Sequence, residues 1–243
     1  MKKLLLVFSI ALCTGYLSFA QSSSRLESSF HLGVDLQTKY VWRGMEMLTN
    51  DAAPVVFPQI NYQNGGLYVY VMGASAFNGK YSEVDLGISY THKWLSVGLN
   101  DYYYPSINTA FDQYFNFKSS ETGHWFEGVI TIAPESIPIY LTISNFFGGA
   151  DKNLEGKQAY STYAELGGHY DFLNDHNLAL AMGVALNKSC YNGYEFGAGF
   201  CNFELKYTYN LSLSHLTLPL STSYIINPVF KKSFVNFTVS LSL

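Results

Sequence analysis

The stretch 30–44 constrains the fold most, because its side chains alternate between two chemically different sets. The apolar set occupies the even positions, interrupted only by Thr38: Phe30, Leu32, Val34, Leu36, Tyr40 and Trp42. The odd positions carry the polar and charged set: His31, Asp35, Gln37, Lys39 and Arg43. Successive side chains of a β-strand point to opposite faces. The stretch therefore predicts a strand with lipid on one side and a water-filled lumen on the other.

Eleven further segments alternate in a similar way, which gives twelve predicted strands. They span 55–63, 67–77, 83–91, 94–104, 125–133, 139–147, 160–171, 178–187, 200–209, 216–226 and 235–243. Tight turns alternate with longer connections along most of the chain, which is typical of outer-membrane barrels. Pro54, Pro58 and Pro219 are expected at bulges or strand ends, because proline removes a ladder hydrogen bond. We predict an all-β fold, a transmembrane antiparallel up-and-down β-barrel of about 12 strands, in residues 21–243.

Residues 1–20 have the features of a secretory signal peptide. Lys2 and Lys3 precede an apolar run at 4–12 that is too short to span a bilayer as a helix. Ser18-Phe19-Ala20 fits a cleavage site of the small-x-small type. We expect cleavage before Gln21 and export to the outer membrane of a Gram-negative bacterium, where the lipid bilayer is the main partner.

The composition supports a membrane barrel and argues against a nucleic-acid partner. Charged residues make up 13% of the chain, about half the share in ordinary soluble domains. Cleavage would remove two of the 14 basic residues and none of the 18 acidic ones, leaving a net charge of −6. Aromatic residues reach 17%, and many are placed to form girdles at the headgroup level. The predicted girdle comprises Tyr40, Trp42, Tyr62, Tyr90, Tyr103, Tyr170, Tyr207, Tyr209 and Tyr224.

The charged residues of the predicted strands lie on the faces expected to point into the lumen. These pore-lining candidates are Asp35, Lys39, Arg43, Glu83, Asp85, Glu127, Glu165, Asp171, Glu204 and Lys206. One interpretation is a charged constriction that biases which solutes pass. The other is an ion-pair network that plugs a narrow barrel. For Arg43, followed by Gly44, the alternatives are a guanidinium at the pore mouth and a structural bridge to a carboxylate such as Glu83 or Asp85.

Other kinds of chemistry find little support in the sequence. Cys190 and Cys201 flank a glycine-rich loop and predict a disulfide in an oxidising compartment. Their spacing matches no zinc motif, and no phosphate-binding glycine loop leads from a strand into a helix, so no metal and no cofactor are predicted. None of the six histidines belongs to a hydrolase or metalloprotease motif, and His124, at the end of a long loop, is expected to be solvated. We predict that the protein is not an enzyme.

Several short segments resemble the TorF-type porins, a family first catalogued as conserved hypothetical proteins. Residues 40–44 look like the family's Y-x-x-R-G segment, 83–87 like its E-x-D strand and 102–105 like its Y-x-Y-P. Segments at 144–146, 160–165 and 181–184 follow in a similar order, so the resemblance covers most of residues 30–240. The resemblance implies a small barrel with porin function and no settled substrate.

The leading prediction is passive diffusion of small hydrophilic solutes across the outer membrane. The first alternative is a closed barrel with a plugged lumen that is structural or binds a partner. The second is a soluble secreted β-barrel with its apolar faces turned inward around an apolar ligand, because alternation alone does not say which face points inward. The sequence leaves the solute and the oligomeric state unassigned.

Overall fold

A computed structural model describes residues 28–48, 52–105 and 112–242, and these form one closed β-barrel with a small hairpin. The barrel consists of twelve strands: β1 (Ser29–Gln37), β4 (Val55–Asn64), β5 (Leu67–Ala76), β6 (Ser82–His92), β7 (Leu95–Tyr103), β8 (His124–Ile132), β9 (Ile139–Gly149), β10 (Thr162–Phe172), β11 (His176–Ala185), β12 (Gly199–Leu213), β13 (Leu216–Asn227) and β14 (Lys232–Ser242). The hairpin between β1 and β4 consists of β2 (Val41–Trp42) and β3 (Met45–Glu46). A single 3-10 turn, Cys190–Asn192, precedes β12.

Each barrel strand pairs antiparallel with its neighbours in the chain, and β1 closes the barrel by pairing with β14. In that closing ladder Asp35 lies opposite Ser240, and Gln37 lies opposite Thr238. The predicted fold class and strand number are confirmed. Most predicted strands begin and end within about three residues of the observed ones. The first strand is an exception, because it ends at Gln37 and not at Gly44. The predicted strand 200–209 is another, because β12 continues to Leu213.

The apolar stripes cover the outside of the barrel. Their exposed members recur at every second residue, for example Val84, Leu86 and Ile88 on β6 and Leu95, Val97 and Leu99 on β7. The alternate residues on the same strands, such as Glu83 and Asp85, are buried inside. The second alternative, a soluble barrel with an apolar interior, is therefore wrong, and the chain has the fold of a transmembrane barrel.

The two rims differ in the length of their connections. One rim has the short turns 65–66, 93–94, 133–138, 173–175 and 214–215, and we call it the short-turn rim. The other, the long-loop rim, carries the connections 38–54, 104–123, 150–161 and 186–198. The connection 77–81 is short, in agreement with the tight turn at 78–80 that the sequence shows as an exception to the alternation. The connection 228–231 is also short, because β14 begins at Lys232 and not at Val235 as predicted.

The prolines are accommodated largely without bulges. Pro54 directly precedes β4, as expected of a strand end. Pro58 lies inside β4, where pairing with β5 omits Phe57 and Pro58 and resumes at Gln59 in the same register. Pro219 lies one residue outside the β13–β14 ladder, which begins at Leu220, so its missing N–H removes no bond to β14. The observed register shifts occur elsewhere, after Phe126 in β8 and after Gly183 in β11.

The signal-peptide prediction falls on residues 1–20, which lie outside the described residues, as does Leu243 at the end of the last predicted strand. Within the described part of the chain, no helix has the length and apolar character needed to cross a membrane.

Candidate functional site in the barrel lumen

Six carboxylates on the inner wall form the charged part of the lumen. They come from five strands, β1, β6, β8, β10 and β12, and each is at most 4% exposed. The six are Asp35, Glu83, Asp85, Glu127, Glu165 and Glu204. All six were predicted to face inward, and that orientation is confirmed. Lys206 lies on the same inner face of β12 as Glu204 and is half-buried.

Asp171 does not line the lumen. By the alternation of β10 it has inward parity, which means that it belongs to the set of alternate residues facing the lumen. However, it lies at the short-turn rim, where its side chain is 73% exposed. It accepts a hydrogen bond from the Asn177 amide at 2.6 Å and lies 3.8 Å from His169. The prediction failed because β10 extends beyond the enclosed part of the barrel at this rim.

The segment 38–48 does not continue the wall but folds into the barrel as a hairpin, which we call the lumen hairpin. Val41 pairs with Glu46 and Trp42 with Met45, which leaves Arg43 and Gly44 as a two-residue turn. Both have positive φ, 49° and 79°, as a type I′ hairpin turn requires. A Cβ on Gly44 would overlap the carbonyl oxygen of Cys201, so the turn lies directly against β12.

Lys39 and Arg43 are therefore on the hairpin and not on the β1 wall, contrary to the prediction. The ammonium group of Lys39 is 2.8 Å from Glu46, which also contacts Lys232 at 3.3 Å. Burial disfavours ionisation of Glu46, but these two lysines outweigh it and lower its pKa. Glu46 thus links the base of the hairpin to β14.

Tyr40 and Trp42 are also misplaced by the sequence analysis, because they are buried inside the barrel and do not belong to the lipid girdle. Tyr40 packs edge-on against Phe57 on β4, with ring centroids 5.0 Å apart. Trp42 packs against Tyr102 at 5.6 Å and Tyr191 at 5.8 Å. Of the other girdle residues, Tyr90, Tyr170 and Tyr224 are exposed, whereas Tyr103 has outward parity but is buried.

Arg43 crosses the lumen to reach Glu127 on β8, five strands away from β1 in one direction and seven in the other. Its guanidinium makes a bidentate contact, donating to Oε1 and, at 3.3 Å, to Oε2 of Glu127. It also donates to the Tyr191 hydroxyl at 2.6 Å. Its carbon lies 4.4 Å from the centroid of Trp42 and 4.9 Å from that of Tyr163, distances typical of cation–π contacts.

Glu127 is fully buried and receives further hydrogen bonds from the wall. The Tyr102 hydroxyl donates to Oε2 at 2.7 Å and the Asn100 amide at 3.2 Å. The Tyr70 hydroxyl in turn donates to Asn100 Oδ1 at 3.2 Å. The network thus runs from β5 through β7 and β8 to the hairpin. The predicted structural bridge from Arg43 to a carboxylate is present, but its partner is Glu127 and neither Glu83 nor Asp85.

Glu165 and Glu83 are held by tyrosines. The hydroxyls of Tyr163 and Tyr140 donate to Glu165 at 2.5 and 2.8 Å. The Tyr81 hydroxyl donates to Glu83 at 2.7 Å. The sequence analysis did not identify these tyrosines as functional, because a tyrosine with inward parity has no distinguishing signal in a chain with 20 of them.

A second loop closes over the hairpin from the opposite side. The connection 186–198 places Tyr191, which is fully buried, against Arg43 and Tyr163. Asn227 donates to the Gly44 carbonyl at 3.1 Å and so holds the hairpin turn against β13. The long-loop half of the lumen is consequently filled with side chains, and the sequence analysis predicted neither Tyr191 nor Asn227 as part of the site.

The predicted disulfide is absent, because Cys190 and Cys201 are both free thiols. The backbone N–H of Cys190 is tied to the Ser161 hydroxyl at 3.0 Å. The sulfur of Cys201 instead lies 3.7 Å from the Gly183 carbonyl, on the neighbouring strand. Burial raises the pKa of the Cys190 thiol, which disfavours the thiolate that disulfide formation requires.

Known structures share the fold of this chain at low sequence identity. A structure from a study of the in-meso crystallization of membrane proteins matches with a TM-score of 0.50 at 8% identity, over 88% of this chain and 83% of the other. The NanC porin matches with a TM-score of 0.50 at 10% identity, over 88% of this chain and 99% of the porin. Salmonella typhi OmpF, in a complex with daunomycin, has a TM-score of 0.42 at 6% identity and covers 90% of this chain and 97% of its own.

At such identities the likeness establishes the fold alone. No protein-family model matches the chain, and no curated protein sequence matches it either.

Proposed function

We propose that this protein is an outer-membrane porin for small hydrophilic solutes, with the lumen hairpin as its constriction. The observation that carries the proposal is the separation of charge and apolar surface across the wall. Among the barrel strands that the structure describes, every Asp, Glu, Lys and Arg except Asp101 has inward parity, while the outer wall is apolar. This separation is what a membrane barrel with an aqueous interior needs.

The charge balance of the lumen favours cations. Six buried carboxylates face the cationic groups of Arg43 and Lys206, while the half-buried Lys39 is paired with Glu46. Fixed charges in a narrow region of low dielectric raise the local concentration of counter-ions. We therefore expect potassium to permeate more readily than chloride.

The lumen hairpin sets the conductance. Arg43 is 5% exposed, while Glu127 and Tyr191 are fully buried, so water does not pass between these side chains in this conformation. Conduction then requires the hairpin to move away from β8. We propose that the wild-type protein opens rarely, and that loss of the Arg43–Glu127 contact increases the open time.

Planar-bilayer recording tests this proposal. We expect rare, cation-selective openings for the wild type, and more frequent openings for Arg43→Ala. Lys39→Ala is the matched control, because it removes a cation from the half-buried base of the same hairpin and leaves the Glu127 contact in place. Equal open probabilities for the two variants would contradict the assignment of the hairpin as the constriction.

A second candidate function is the closed barrel with a structural or partner-binding role. The complete burial of Glu127 beneath the hairpin favours it. The same recordings separate the two functions, because a permanently plugged barrel gives no openings in the wild type or in Arg43→Ala. Folded protein would first be verified by its heat-modifiable mobility on a gel.

The resemblance to the TorF-type porins supports the same proposal, and we propose membership of that family and a non-enzymatic role. The residues that match its Y-x-x-R-G segment form the lumen hairpin, and the Glu83 and Asp85 of the E-x-D strand lie on the lumen wall. Export to the outer membrane of a Gram-negative cell is tested by fractionation and by sequencing the mature N-terminus. We expect Gln21 as the first residue; a retained Met1 would contradict the signal peptide.

A further inference from the structure

Asp101 is the only charged residue with outward parity among the barrel strands that the structure describes. On the ladder it lies between Leu86 of β6 and Phe126 of β8, both of which have outward parity. Charged residues on the lipid face of a barrel destabilise it, by an amount that depends on depth. Asp101 therefore needs a hydrogen-bonding partner and a segment of the chain that separates its carboxylate from the lipid.

His124 supplies the partner. Its Nδ1 lies 2.8 and 2.9 Å from the two carboxylate oxygens of Asp101, and its Nε2 lies 2.5 Å from the Tyr114 carbonyl oxygen. The imidazole therefore connects the Asp101 carboxylate on the wall to the backbone of the segment that follows β7. His124 is fully buried, contrary to the prediction that it is solvated.

The segment 112–123, which we call the outer loop, supplies the cover by lying on the outside of the barrel. Tyr114 packs against Tyr103 and His124, with ring centroids 5.0 Å apart in both pairs. Phe117 lies 4.7 Å from His124 and 6.4 Å from Phe126. All of these wall residues have outward parity, so the outer loop extends the lipid-facing surface at the long-loop rim.

The outer loop leaves large apolar side chains uncovered. Phe115 is 85% exposed and Phe117 is 56% exposed. Phe117 is continuous with an aromatic row on the outer wall, because Phe126 stacks on the exposed Phe147 at 6.3 Å. Lys118, directly after Phe117, has a side chain that is 67% exposed. Phenylalanine together with lysine is typical of segments that lie at the boundary between headgroups and acyl chains.

We propose that the outer loop docks into the lipid bilayer surrounding the long-loop end of the barrel. Phe115 and Phe117 enter the boundary between headgroups and acyl chains, and Lys118 stays among the headgroups. The contact covers the Asp101–His124 pair on the side away from the wall and so keeps water from it. This inference rests on the membrane-spanning barrel of the proposed function.

Tryptophan quenching by brominated phospholipids tests the docking. Phe115→Trp places a reporter on the outer loop, and Leu99→Trp places one on the lipid-facing wall two residues below Asp101 on the same strand. Both are reconstituted in vesicles whose lipids carry bromine near the headgroup, and the signal of the native tryptophans is subtracted with the wild-type protein. For each variant we measure the fraction of the added tryptophan fluorescence that the brominated lipid quenches. We expect this fraction for Phe115→Trp to be at least half of that for Leu99→Trp. We also expect the tryptophan at position 115 to resist quenching by aqueous iodide.

The two reporters separate failure of the docking from failure of the barrel in the membrane. Quenching of Leu99→Trp by lipid together with quenching of Phe115→Trp only by iodide would overturn the docking and leave the barrel intact. Absence of lipid quenching at both positions would overturn the membrane-spanning barrel as well. A reporter at position 115 that resists both quenchers would indicate a protein contact and would also contradict the docking.

Discussion

Removal of the Arg43 charge is the most direct perturbation of the lumen hairpin. Arg43→Met keeps most of the aliphatic length but withdraws two of the four hydrogen bonds that Glu127 receives, and leaves those from Tyr102 and Asn100. Breaking a buried ion pair by removing one partner destabilises a protein by about 3–5 kcal/mol. Because two donors remain on Glu127, we expect a loss at the lower end, about 3 kcal/mol.

Equilibrium unfolding in lipid vesicles, monitored by tryptophan fluorescence, measures this loss. Lys39→Met is the matched control, since it removes the same type of charge from a partly exposed pair with Glu46, where about 0–1 kcal/mol is expected. The double variant Arg43→Met/Glu127→Gln removes both buried charges and should cost clearly less than the sum of the two single variants. A loss below about 1 kcal/mol for Arg43→Met, or strict additivity in the double variant, would refute the reasoning.

Three further predictions concern the same region. Gly44→Ala should destabilise the protein by about 2 kcal/mol or more in the same unfolding assay, because Gly44 has a φ of 79° and lies against the Cys201 carbonyl. Gly79→Ala is the control and should cost only about 1 kcal/mol, because Gly79 has a similar φ of 70° but no atom within 4 Å of the added Cβ. Arg43→Ala should raise the potassium-to-chloride permeability ratio obtained from the zero-current potential in a salt gradient, because it removes a lumen cation; an unchanged ratio in a conducting channel would be contrary evidence. The mature chain, unfolded without reductant and treated with a maleimide, should carry two adducts in mass spectrometry, at Cys190 and Cys201. A chain with a disulfide and no adduct would contradict the free thiols.

The wall of the barrel could be predicted from the sequence because each strand carries its own signal. In β6 the alternation of Glu83 and Asp85 with Val84 and Leu86 is visible in four consecutive residues, without any knowledge of the neighbouring strands. A strand in a barrel has one lipid face and one lumen face along its whole length, so local parity determines orientation. The same parity rule correctly placed five further inward positions, at Asp35, Glu127, Glu165, Glu204 and Lys206.

The lumen hairpin could not be predicted in this way, because its residues keep the period of the preceding strand. Tyr40 and Trp42 continue the even positions of β1, although the chain leaves the wall after Gln37. Their apolar character fits an interior packed with Phe57, Tyr102 and Tyr191 as well as it fits lipid. The available local signal was Arg43-Gly44 between two short β-prone pairs, a two-residue turn whose second residue tolerates positive φ.

The outer loop was missed for a related reason. Asp101 and His124 are 23 residues apart, and neither the carboxylate nor the imidazole has a neighbour in sequence that marks it as paired. The parity of Asp101 on β7 was the one usable signal, since a charged residue with outward parity requires a cover. Which segment provides that cover depends on how the chain returns from β7 to β8, and no local pattern states this.

The arrangement of the hairpin contacts has a consequence for how the lumen opens. The guanidinium of Arg43 is held at once by Glu127, by the Tyr191 hydroxyl and by the faces of Trp42 and Tyr163. A small displacement would bury the Arg43 charge without its carboxylate and would leave Glu127 with only the neutral donors Tyr102 and Asn100, which is costly for both charges. Intermediate positions of the hairpin are therefore disfavoured relative to the seated position and to one in which Arg43 and Glu127 both reach water. We infer that opening is a two-state event, and that currents through this barrel change in discrete steps and not gradually.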